Sequence, residues 1–191
     1  MEIETWSEEL RYNYPLNENS IVFDVGGFEG IWAQTIYSKY GSTILVFEPV
    51  KEFYNNIKDK FSEQDKVQVY NYGLGTKDEA ISIEVIGMST SVLNTTEATE
   101  DVEIKDIQPI LNRFANIDLL KLNIEGAEYD LLEYIIEKGL QNRLDNIQIQ
   151  FHMNVADYEK RRQKIREELS KTHHLTYDYA YTHENWKRNE I

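Results

Sequence analysis

The chain has 191 residues and no cysteine, and its 34 acidic side chains against 20 basic ones leave a formal net charge of −14. A surface this acidic repels phosphate backbones and anionic lipid heads, so nucleic-acid and membrane partners are disfavoured. Without cysteine there is no disulfide framework, thiolate zinc site or cysteine nucleophile. The length suits one domain, 1–191, with a proper core. The opening stretch MEIETWSEEL lacks the basic and apolar regions of a signal peptide. No apolar run approaches the ~20 residues of a membrane helix, so a soluble cytoplasmic protein is expected.

Residues 1–19 read as an extension, a short helix and a turn at Pro15, with Trp6, Leu10, Tyr12, Tyr14 and Leu16 as anchors. They either cover the cofactor or cap the sheet. Ile21-Val22-Phe23-Asp24-Val25 is an apolar run closed by glycines, a strand buried on both faces. Gly26 and Gly27 allow positive φ and close approach of a ligand. A helix follows from Gly30, with Ile31, Trp32, Thr35 and Ile36 on one side. Strand, glycine turn and helix make a nucleotide-binding corner with the helix N-terminus aimed at the ligand. Asp24 ends the strand, where it accepts N–H groups of the turn or meets the ligand's ammonium. A second strand, Ile44 to Phe47, ends in Glu48-Pro49. Glu48 lies about 20 residues past the turn, the distance of an acid that binds ribose hydroxyls.

Val50 to Phe61 is a helix with Phe53, Tyr54, Ile57 and Phe61 as core. Val67 to Tyr72 is a third strand, leaving Tyr72, Gly73 and Leu74 either as an edge against the base or as a plain exit. Ala80 to Val85 alternates as a short accessory strand. Gly87 to Glu103 lacks periodicity, and its Ser89, Thr90 and Ser91 make it a candidate substrate loop, with a disordered surface loop as the competing reading. After a short helix at 107–114, the stretch from Ile117 reads as a strand that carries Lys121, Asn123 and Glu125 on one side if it persists as far as Glu125. A helix begins near Gly126. Ile147 to Met153 is a strand with Gln148, Gln150 and His152 along one face, costly unless paired or lining a site; an edge strand is the competing reading. Val155 to Thr172 is a charged helix, read as a solvated face with i,i+4 pairs before an anion-binding surface. His173 and His174 suit its C-terminus. Leu175 to Thr182, with Tyr177, Tyr179 and Tyr181 on one face, pairs with the stretch around Trp186; Tyr181 and Trp186 are expected to bind substrate, and His183, beside Trp186, is expected near the pocket rim.

The spacing D-x-G-x-x-x-G over Asp24, Gly26 and Gly30, with Phe28 where many have a glycine, resembles motif I of class I S-adenosylmethionine (SAM) methyltransferases. A dinucleotide G-x-G-x-x-G fails at Phe28, which disfavours an NAD oxidoreductase. Phe23 to Gly30, Val46-Phe47-Glu48-Pro49, Asp118 to Glu128 and Gln150-Phe151-His152 together resemble the FkbM family of SAM-dependent methyltransferases, over about residues 20–155. Two positions depart from its pattern: Asn123 stands where Asp is usual and Gln150 where Glu is common. The resemblance implies a single-domain α/β class I (Rossmann-like) fold. That fold has a mostly parallel seven-stranded sheet, a C-terminal antiparallel pair and helices on both faces. It also implies methyl transfer to a hydroxyl, often of a sugar, glycan or secondary metabolite. The cofactor site is then Asp24, Gly26, Gly27, Phe28, Gly30, Glu48, Pro49, Tyr72, Gly73 and Leu74. His152 is the better base, since an imidazole titrates near neutrality. Glu125 orients it or holds substrate, with Asn123 alongside. The same three side chains form a divalent-metal set, a reading given less weight than the base. Ion pairing is expected for Lys121 and Glu128. A SAM- or partner-binding protein without turnover is the alternative, motivated by the absent carboxylates at Asn123 and Gln150.

Overall fold

The computed structural model describes residues 7–85, 98–179 and 183–190. In chain order the elements are β1 (Ile21–Val25), α1 (Ile31–Tyr40), β2 (Thr43–Phe47), α2 (Lys51–Lys60), β3 (Val67–Tyr70), β4 (Gly73–Gly75), β5 (Glu79–Val85) and β6 (Ala98–Asp106). There follow α3 (Ile107–Leu111), β7 (Leu119–Leu122), α4 (Glu128–Glu137), β8 (Asn146–Gln150), α5 (Tyr158–Leu169), β9 (His173–Tyr179) and β10 (His183–Arg188). Seven strands form one sheet in the order β3-β2-β1-β7-β8-β10-β9, with β10 antiparallel to both its neighbours. Strand order reverses between β1 and β7, the place where an open parallel sheet leaves a crevice at its carboxyl edge.

Alternation along the strands builds two cores. Val22, Ile44, Val46 and Leu119 pack with Trp32, Ala33, Ile36 and Ile57 of α1 and α2. Phe23, Val25, Leu120, Leu122, Ile147 and Ile149 pack with Tyr129, Leu132, Ile165 and Leu169 of α4 and α5 on the other face. Burial on both faces is why these strands read as continuous apolar runs. Over β8, β10 and β9 the first of these faces is covered by the N-terminal extension. Tyr14 is buried, its hydroxyl 3.0 Å from that of Tyr177 on β9, and Trp32 Nε1 donates to the Arg11 carbonyl at 3.3 Å.

Several expectations change. β8 lies inside the sheet, so the edge-strand reading falls. β7 stops at Leu122, because Glu125 and Gly126 take φ of 54° and 111° and turn the chain into α4. Residues 98–106 are not irregular: they pair antiparallel with β5 and parallel with β4 in a separate three-stranded sheet. Ser89, Thr90, Ser91 and Tyr181 lie outside the described residues. The arginines of α5 serve neither the solvated-face nor the anion-binding reading. Arg161 bonds Asp130 and Glu133 of α4, while Arg162, buried, bonds Asp178 and Glu184 of the terminal strands. His173 is no helix end but the buried first residue of β9, its Nε2 2.9 Å from the Leu144 carbonyl, and burial lowers its pKa.

Candidate active site

The glycine turn leaves β1 at the crevice. Gly26 is required sterically: its φ is 85° and a Cβ there would stand 2.0 Å from the Asn123 carbonyl oxygen. At Gly27 a Cβ would meet Val46 at 2.4 Å, so packing against β2 requires this glycine. Gly30 caps α1 in the left-handed region. Phe28 also has positive φ, is partly exposed, and sets its ring edge-on to Phe53. Glu48 is buried at the end of β2; it accepts N–H bonds from Phe28 at 2.8 Å and Val50 at 2.9 Å, and burial raises its pKa against them. Each carboxylate oxygen has a second lone pair, so Glu48 braces the turn and still has capacity for a diol. Asn71 donates to the Pro49 carbonyl, closing the strand end.

Asp24 does not accept from the turn. It is fully buried, and its Oδ1 takes the Lys121 ammonium at 2.7 Å, while Lys121 also donates to the Gly26 carbonyl at 2.6 Å. Ion pairing of Lys121 is borne out, but in the interior and across β1 and β7. Burial raises the Asp24 pKa, with Lys121 opposing. Among the described residues Asp24 Oδ2 has no hydrogen-bond partner. A buried carboxylate oxygen left unsatisfied at the switch point fits the ammonium of an amino-acid moiety, and Glu48 fits a ribose diol, so these residues suit SAM.

Beyond β7 and β8 lies a narrow slot lined by Arg11, Lys121, Asn123, Gln148, Gln150 and His183. Arg11 Nε, Asn123 Oδ1 and Gln148 Oε1 are buried atoms without hydrogen-bond partners among the described residues. Burial, with Arg11, Lys121 and His152 nearby, drives the His183 pKa down to about 4. His152 does not join this slot. It lies past the end of β8, where Nδ1 is 3.0 Å from Glu128 Oε1 and Nε2 is 3.5 Å from Glu125 Oε2. Its pKa is raised, chiefly by the hydrogen bond to Glu128, with burial opposing. Among the described residues no three His, Cys, Asp or Glu side chains converge as a metal site.

Tyr72 is half-buried against Phe47 and Tyr70, whereas Leu74 is core and Gly73 is packed against Ile104. Of that trio Tyr72 alone keeps an open side. Trp186 is not at the rim: paired with Ile147, it points into the α4–α5 core and donates to Glu184 at 2.7 Å. Arg11, Gln148 and Glu128 were not predicted as site residues. The polar row on β8 was a usable signal for Gln148; Arg11 carried none.

This sheet order, with a glycine turn after the first strand and an acid after the second, defines a class I methyltransferase. The chain matches the model of the methyltransferase FkbM domain over residues 24–179, and it belongs to that family. It is 24% identical over 177 aligned residues to "Methyltransferase 1" of Beauveria bassiana, covering 75% of this chain and 69% of that protein. An rRNA methylase from Streptococcus thermophilus superposes with a TM-score of 0.54 at 10% identity, over 92% of this chain and 90% of that one. M. capricolum TrmK, solved with S-adenosylhomocysteine, gives a TM-score of 0.50 at 11% identity; the match covers 93% of this chain and 66% of that one. At these identities the solved structures establish the fold.

Proposed function

We propose that this methyltransferase uses SAM to methylate a hydroxyl of a small molecule or glycan, not of nucleic acid. The observation that carries the reading is His152, half-buried past the end of β8 with Nδ1 held by Glu128 and Nε2 beside the exposed carboxylate of Glu125, 3.5 Å away. SAM supplies an electrophilic methyl group on a sulfonium. Glu48 would hold its ribose and Asp24 Oδ2 its ammonium, with Lys121 keeping Asp24 charged. His152 Nε2 takes the acceptor's hydroxyl proton as the oxygen becomes nucleophilic. The amides of Asn123, Gln148 and Gln150 both donate and accept, which suits a hydroxyl-rich acceptor. The net charge of −14 opposes RNA as acceptor.

A coupled assay for S-adenosylhomocysteine with pooled glycan and small-molecule acceptors tests this. Turnover should appear, survive chelator, and fall ~10²–10⁴-fold in His152→Ala while SAM affinity holds. SAM binding without turnover on any pool favours the non-catalytic reading, motivated by Asn123 and Gln150. Loss on chelation with rescue by a divalent ion assigns His152 and Glu125 to a metal instead.

A further inference from the structure

Glu128 is fully buried at the first residue of α4. Three donors meet its carboxylate. The His152 backbone N–H reaches Oε1 at 2.8 Å, the His152 ring Nδ1 reaches the same atom at 3.0 Å, and the Gly126 N–H reaches Oε2 at 2.9 Å. The residue therefore fixes backbone and ring of His152 together, and also closes the turn that ends β7. An ionised carboxylate oxygen only accepts, so Nδ1 carries the hydrogen and the neutral ring keeps its lone pair on Nε2. No other side chain is recorded on Nδ1 among the described residues.

We infer that Glu128 is the positioning residue of the site, holding His152 in the Nδ1–H tautomer with Nε2 directed at the acceptor hydroxyl. This rests on His152 being the base. The other groups around the ring are few. Glu125, largely exposed, stands 3.5 Å from Nε2. His183 of β10 is near enough to feel its charge. Tyr129 of α4 donates its hydroxyl to the His152 carbonyl, and Arg161 and Arg162 of α5 lie over the Tyr129 and Phe151 rings rather than on the imidazole. Both carboxylates favour the protonated ring, so it gives up its proton at higher pH than an ordinary histidine, and the rate rises with pH as it does so. Removing the Glu128 charge moves that limb to lower pH while releasing the ring.

The test reads the imidazoles of the full chain by nitrogen-resolved NMR, with His152 assigned by its disappearance in His152→Asn. The wild type should show the Nδ1–H tautomer and a pKa above ~6.5, the unperturbed value. Glu128→Gln should mix the tautomers, lower the pKa, shift the pH–rate limb by the same amount, and cut kcat about 10²-fold with KM for SAM unchanged. A wild-type Nε2–H tautomer overturns the proposal before any variant is made. So does an unmoved His152 titration in Glu128→Gln. If that variant does not fold, Glu128→Asp keeps the charge but draws it back from Nδ1, and the same readouts apply. A shifted titration with an unshifted rate limb would instead remove His152 as the base, which marks failure of the functional reading rather than of the contact.

Discussion

Gly26 tolerates no side chain, for two independent reasons: positive φ, and the Asn123 carbonyl where a Cβ would sit. The backbone conformation alone costs about 1–3 kcal/mol for a non-glycine residue, and the overlap adds to it by pushing β7 from β1. Gly26→Ala should lower the melting temperature and weaken SAM binding together, measured by calorimetry on one preparation; a stable variant with normal affinity would contradict the packing described. His183 sets a pH limit on the fold. Its pKa is about 4 in the folded protein, below the ordinary histidine value, because burial disfavours the charged ring. A depressed pKa means the unfolded chain binds the proton first. The stability is thus full above ~6.5, the unfolded value, and is lost as pH falls towards the folded one. His152 acts with the opposite sign, its raised pKa favouring the fold at acidic pH. Denaturant midpoints for wild type and His183→Asn across that window should converge as pH falls; parallel curves would rule the effect out.

At the scale of elements, the switch point carries a buried ion pair in addition to its apolar packing. Asp24 of β1 and Lys121 of β7 stand opposite each other in register, and both are shielded from water. Removing one partner of a buried pair costs about 3–5 kcal/mol, whereas replacing both is far milder. Lys121→Met should therefore destabilise by that amount in urea, and Asp24→Asn with Lys121→Met should recover most of it. Equal loss in the single and double variants would show that the pair does not couple. Asp24→Asn alone is consequently no clean probe of cofactor binding, since it strands the lysine.

At the scale of the molecule, this chain is acidic enough for charge to bear on the class of acceptor. With a formal charge of −14 it has little to gain from counterion release. No shift of labelled RNA is expected by fluorescence anisotropy even at low salt. Salt-sensitive binding would revive the nucleic-acid reading. Among the described residues no helix is long and apolar enough to cross a membrane.

Much of this was legible in the chain. Ile21 to Val25, Gly26, Gly30, Glu48 and the terminal strand pair follow from apolar runs, backbone demands and spacing, all local properties. Strand order, and with it the interior place of β8, depends on pairing between distant segments, which periodicity does not encode. The same holds for the partners of charged groups. Lys121 reads as one alternating position on a strand until β1 is beside it, and Trp186 reads as a substrate-binding aromatic until its register with Ile147 turns it inward. Arg11 reaches the slot on an extension that is tied down by Trp32 at the Arg11 carbonyl and by Tyr14 at Tyr177, 163 residues further along. Sequence by itself determined the strand, glycine turn and helix at the end of β1 and the acid at the end of β2, because a tight turn and a strand-end acid need particular residues at close spacing. Only the tertiary structure decided which nitrogen of His152 is held and by what. That bond joins the start of one helix to the end of a strand 24 residues away, and a contact at that separation leaves no periodic trace.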